Sequence, residues 1–219
     1  MSECTEEMFL GDTTEHKITI LRDDGVARHI RFRAPGTICY GFDLITWPGH
    51  LCISGDCGTY VFQRLEDMFE FFRTSTEYAA SHPEHKLFIN ARYWGQKLLC
   101  IGTDAGYREF DEDAFKERVA KHFNNWKECC MPTESLCSSV WKEVEDQVLC
   151  CTCDGEHAAY RAVYDFSHAG FQFDDFFDGG GTERYTSHYL WCLYAIAWGI
   201  RQYDAYRLTG SEDKCNLKT

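Results

Sequence analysis

Basic residues are scarce in this chain. Against 35 Asp and Glu, its 219 residues include only 22 Lys and Arg, a formal charge of −13. A protein that grips nucleic acid gains affinity by neutralising phosphates and releasing counterions. This chain would repel DNA at long range, so no direct nucleic-acid partner is expected. An acidic surface suits solubility, or docking to a basic partner. Long apolar runs are missing too. The best, residues 189–200 (YLWCLYAIAWGI), is about a dozen residues where a bilayer needs roughly twenty, and Arg201 and Asp204 follow at once. No membrane partner is expected. The opening residues, MSECTEEMFL, carry acids where a secretory signal carries positive charge and a long apolar core. The expected setting is intracellular.

The signatures of common catalytic sites are also lacking. Gly179-Gly180-Gly181 has no Lys-Ser/Thr after it and follows no strand, so it is no phosphate loop. It reads as a hinge. His82-Pro83-Glu84-His85 places imidazoles near a carboxylate, but Pro83 prevents a regular helix interior. That excludes an HExxH helix and leaves a polar loop. Asp43, His50 and Asp56 lie near turns and would serve acid–base or metal chemistry if they converged. Turn chemistry explains Asp56 as well, and a cross-strand pair explains Asp43.

Cysteine, by contrast, is plentiful, with 13 residues. In the absence of export these are expected to be reduced thiols, most of them acting as small hydrophobes in the core. One cluster admits other readings. Cys150 and Cys153 have the spacing that lets two thiolates reach one tetrahedral zinc, with His157 four residues on. Cys129, Cys130 and Cys137 would be further ligands. No second pair with that spacing exists, and the surroundings look helical, so no metal or other cofactor is assigned. Zinc and a short-range disulfide stay open as alternatives.

Aromatics make up 16% of the chain, which argues for a packed core or an interface rather than disorder. Residues 16–62 alternate as strands do. Ile18 and Ile20 lead to a turn at Asp23-Asp24-Gly25. His29, Arg31 and Arg33 then share one face against Ile30 and Phe32. A third strand over residues 39–46 ends at Trp47-Pro48-Gly49. Two more flank a loop at residues 54–58. These predict an antiparallel β meander, followed by a short amphipathic helix through Leu65, Met68, Phe69 and Phe72. Residues 74–86 read as loop, and residues 86–101 as two short strands around Trp94-Gly95.

From Asp111 onward the pattern turns helical. Asp111, Glu112 and Asp113 suit the positive end of a helix dipole. Pro132 opens a second helix, and residues 156–166 form a third. The last helix, over residues 183–208, is apolar on most sides: Tyr189, Leu193, Ile196 and Ile200 on one face, Trp191, Tyr194 and Trp198 on others. Such a helix must be buried on most sides, and packing against a second copy is the expectation. Residues 171–178 (FQFDDFFD) are the most unusual segment. Phe171, Phe173, Phe176 and Phe177 come with Asp174, Asp175 and Asp178. They read either as an aromatic anchor with an acidic rim, suited to a basic partner, or as a loop whose rings cap the local core. The fold class is α+β: a β-rich region over 1–105 and a helical region over 106–219, or one continuous domain.

Residues 15–72 carry a resemblance. The pieces RFRAPGTICYGFDL, TWPGHLCISGD and GTYVFQRLEDMFEFFR are similar to runs in phage and prophage proteins of unassigned role. The chain also resembles the phage inhibitors of the Gabija anti-phage defence complex. The resemblance implies a protein that is not an enzyme, acting in the cytoplasm of an infected bacterial host. It implies a homo-oligomer that wraps a host nuclease–helicase assembly and stops it from binding and cutting DNA. It carries over no individual contact residue. The rival readings are a zinc-dependent enzyme acting on nucleotides and a phage structural or accessory protein.

Overall fold

A computed structural model describes residues 3–83, 85–102, 106–178 and 180–215. The chain falls into two compact units, residues 1–107 with 185–219 and residues 108–184.

The first unit opens with α1 (Glu6–Asp12), whose start is capped by the Thr5 hydroxyl accepting from the Met8 N–H. Strands β1 (Lys17–Asp24), β2 (Ala27–Arg33), β3 (Phe42–Trp47), β4 (His50–Gly55) and β5 (Gly58–Gln63) follow. Three short helices then intervene, α2 (Met68–Phe72), α3 (Thr76–Ser81) and α4 (Ala91–Gly95), before β6 (Leu98–Ile101). The strands form one six-stranded antiparallel sheet in sequence order. Every second side chain of β2 and β3 is buried, which is the period that puts one strand face on a core. Gly25 and Gly49 turn the first and third hairpins at positive φ, +60° and +79°, a conformation that a Cβ disfavours.

The meander agrees with its sequence pattern, and the departures have local causes. The third strand starts at Phe42 because Tyr40 is left-handed (φ +54°) and gives its N–H to the Asp56 carboxylate. Gly55 pairs with Gly58, so the loop expected over 54–58 shrinks to Asp56 and Cys57. Residues 74–86, read as loop, contain α3, nucleated by Ser75 accepting from the Tyr78 N–H. Asn90 likewise caps α4 by accepting from the Tyr93 N–H, so a helix and one strand replace the two strands expected near Trp94.

Gly55 sits where the hairpin crosses the β2–β3 turn. A Cβ there would overlap Gly41 O and lie 2.7 Å from Phe42 Cα. Backbone cannot yield as a side chain does. Gly55→Ala is therefore expected to cost about 2–3 kcal/mol, an overpacking penalty, read as a shifted urea midpoint at unchanged slope.

In the second unit β7 (Arg108–Phe110) leads into α5 (Glu112–Cys130) and α6 (Glu134–Gln147). A 3-10 turn (Leu149–Asp154), α7 (Glu156–Asp165), β8 (Ser167–His168) and β9 (Phe171–Gln172) come next, and β10 (Glu183–Tyr185) pairs back on β7. Asp111 caps α5 by accepting from the Ala114 N–H, and Thr133 caps α6 at Leu136. The inward faces of these helices bury Phe115, Val119, Phe123, Val140, Val144, Ala159 and Val163 in one core.

The last helix, α8 (Ser187–Cys215), belongs to the first unit. Residues 106–219 are mostly helical, as expected, though α8 groups with the sheet and not with the helices that precede it. Much of the apolar surface of α8 packs within one chain. Its own unit covers it on several sides. Tyr189 packs on Tyr60 (5.4 Å between ring centroids), Trp191 on Phe9 (5.1 Å) and Phe42 (5.6 Å), Trp198 on Phe32 (5.3 Å), and Tyr203 on Phe69 (5.4 Å). Trp191 Nε1 donates to Asp12, and Tyr203 OH to Asp23. Gly199 permits the approach, since a Cβ there would stand 2.7 Å from Leu44 Cδ1.

Candidate binding surfaces

The aromatic side chains first in line for an interface are mostly core. In α8, Tyr189 and Trp191 are buried, while Tyr194 and Trp198 are half-buried and pack on the same core. In the second unit Phe171, Phe173 and Phe176 are buried. Phe171 and Phe173 meet edge to face at 4.9 Å, and Phe173 and Phe176 at 5.5 Å. The chain separates rings from carboxylates by tight turning, with Asp175 itself left-handed at φ +54°. Asp174, Asp175 and Asp178 are exposed, and of the four rings only Phe177 is exposed, at 46%. The alternative of rings capping the local core is the one that describes this segment. Asp174, Asp175 and Phe177 remain as surface residues.

The polar clusters do not converge into reactive sites. Among the described residues, no group of three or more His, Cys, Asp and Glu side chains is placed to hold a metal. Cys150, Cys153 and His157 are thus not gathered around one point. Cys150 and Cys153 lie on the 3-10 turn, the Cys150 thiol toward Asp146 O at the end of α6 and the Cys153 thiol toward Cys150 O. The twelve cysteines whose side chains are described are free thiols. Of His82-Pro83-Glu84-His85, Glu84 lies outside the described residues, and His82 stacks on Tyr78 at 4.1 Å. Gly179 is likewise outside them. Asp43, His50 and Asp56 have separate employment: His50 stacks on Trp47 at 4.9 Å, and Asp56 holds the Tyr40 N–H.

Asp43 anchors what the sheet does present. Cross-strand register places Thr19, Arg31, Asp43, Ser54 and Thr59 in one row on the sheet's outer face. The adjoining row holds His29, Ile45, Cys52, Val61 and Cys100. One row is polar, its neighbour largely apolar, and the exposed Trp47 (39%), paired with His50, continues the same strand face. Arg31 donates through Nε and Nη2 to both Asp43 oxygens (3.0 and 2.9 Å), and His29 Nε2 lies 2.8 Å from Asp43 Oδ2. The pairing of Arg31 and His29 with a cross-strand carboxylate follows from the alternation seen in the sequence. Burial alone would raise the Asp43 pKa, but the hydrogen bonds from Arg31 and His29 hold it below the ordinary carboxylate value.

That depression has a definite sign. A carboxyl whose pKa is lower folded than unfolded stabilises fully above its unfolded value and loses the contribution as pH falls through the folded one. Asp43→Asn is therefore expected to be less stable than the parent near neutrality. The gap should begin to narrow as pH drops below about 4, the unfolded Asp range, and vanish as pH falls through the lower folded value. Urea midpoints at a series of pH values check this, and a gap independent of pH would refute it.

No helix among the described residues is long and apolar enough to cross a membrane. No protein-family model, no curated protein and no solved structure matches the chain.

Proposed function

We propose that this chain is a phage-encoded anti-defence protein that inhibits a host anti-phage nuclease complex of the Gabija kind by binding it, without catalysis of its own. The observation that carries the reading is where the phage-like run falls. Residues 15–72 make up strands β1 to β5 and helix α2, so the resembling pieces are one continuous structural block and not scattered fragments. The same block supplies nearly all of the outer face described above. Such a face, apolar beside charged, has the mixed character of protein–protein interfaces. The charge of −13 suits occlusion of a basic DNA-binding surface better than competition on DNA itself.

Wrapping by several copies rests on the resemblance, since most aromatic side chains of α8 pack within its own unit.

The test is direct. Purified chain is titrated into a reconstituted Gabija nuclease–helicase complex, and DNA cleavage and co-elution on size exclusion are followed. Expected are stoichiometric loss of cleavage and a stable complex. An Arg31→Glu/Trp47→Ala pair, folded by circular dichroism, should weaken inhibition by about tenfold or more, a hot-spot-sized effect. Full cleavage at saturating chain, with no co-elution, would remove the reading.

A further inference from the structure

The first unit contains a cavity of about 430 Å³ between α2, the segment around α3 and the middle of α8. That lies within the roughly 300–1,000 Å³ of small-molecule sites. Its floor is apolar, built from the buried Phe72, Leu87 and Ile200. Tyr78 and Phe88, their ring centroids 4.2 Å apart, supply aromatic wall.

The rim is cationic, which is unusual on so acidic a chain. Arg73 is neutralised locally: it donates to both Asp204 oxygens at 2.9 and 2.7 Å, and also to Glu70. Lys86 and Arg201 are different. Both are exposed, and among the described residues neither forms an ion pair. Arg201 Nη1 donates to Lys86 O at 2.9 Å, which tethers the guanidinium at the mouth while its other N–H groups meet no hydrogen-bond acceptor among the described residues. Two cations with no ion-pair partner among the described residues, over an aromatic, apolar floor, select for negative charge at one end of a ligand and a flat apolar body at the other.

We propose that this cavity binds a small aromatic anion, its ring against Tyr78, Phe88 and the floor, and its carboxylate or phosphate on Arg201 and Lys86. A guanidinium fork accepts either head group.

Calorimetric titration of the full chain tests it with 5′-AMP and 1-naphthoate as ring-bearing anions. Adenosine and 1-naphthalenemethanol are their neutral counterparts, and inorganic phosphate is the anion without a ring. Saturable one-site binding of at least one ring-bearing anion is expected, with its neutral counterpart and phosphate weaker by about tenfold or more, since the charge-assisted bonds or the ring contact are lost. AMP alone would assign a phosphate monoester, naphthoate alone a carboxylate. Arg201→Gln should weaken the binding comparably. Lys86→Gln, at an exposed position, is the control that keeps the test valid if Arg201→Gln does not fold. No saturable binding by either ring-bearing anion overturns the proposal, as does a neutral counterpart that binds equally well.

Discussion

Asp67→Ala is expected to lower the unfolding free energy of the first unit by about 3–5 kcal/mol, the cost of removing one partner of a buried ion pair. The Arg28 side chain, 9% exposed, reaches both Asp67 oxygens at 2.8 Å. Its guanidinium lies 4.6 Å from the Phe69 ring centroid, and its buried Nε has no partner. Without Asp67 that charge would be left under an aromatic cover with its main acceptor gone. Asp67 also caps α2 by accepting from the Phe69 N–H at 2.9 Å, a second loss of about 1 kcal/mol. The carboxyl reflects both bonds. Burial would raise its pKa, but Arg28 and the Phe69 N–H pull it below the usual value, so its contribution is present at neutral pH and fades only in acid. The double variant Arg28→Met/Asp67→Leu separates charge from packing. It should recover much of the loss, since apolar replacements of buried pairs are often neutral or better. Urea unfolding followed by tryptophan fluorescence reads the parent and both variants. A loss below about 1 kcal/mol for the single variant, the range of a surface pair, would show that Arg28 is solvated.

This pair also marks where sequence reasoning stops. Strands with period two are visible locally, because alternation at Ile30, Phe32, Phe42 and Leu44 encodes which face is inward. The link of Arg28 to Asp67 crosses 39 positions, and that of Arg201 to Lys86 crosses 115. Nothing in the local pattern announces either. Helices α3 and α4 are short enough that caps decide them, at Ser75 and Asn90, within segments whose composition reads as loop or strand. The destination of α8 was hidden for a related reason. Its all-round apolar surface correctly demands burial on most sides, but periodicity does not say by what. The sheet, α1 and α2 supply much of that cover within one chain.

The acidic aromatic segment leads to the second large expected effect, because core and interface predict opposite outcomes there. If Phe171, Phe173 and Phe176 anchored a partner, truncating them would spare stability and abolish binding. As buried members of the second unit's core they should do the reverse. Phe176 is 1% exposed and packs against Phe115 at 5.6 Å and Phe173 at 5.5 Å. Arg118 sits over its outer face, 5.2 Å from the ring centroid. Phe176→Ala is expected to destabilise by about 3–5 kcal/mol, the usual cost of emptying a phenylalanine site. Phe177, 46% exposed against Tyr160, should cost less than about 1 kcal/mol on truncation, as a surface change. Hydrogen exchange of the α5 and α7 amides reads the first effect where it occurs, in the unit these helices build. Protection there should collapse for Phe176→Ala and persist for Phe177→Ala. Equal protection in both variants would mean that the segment does not close the core, and the anchor reading would return. If the contrast holds, what this segment offers a partner is reduced to Phe177 beside Asp174, Asp175 and Asp178. Three rings then serve to fix the turns that present those carboxylates.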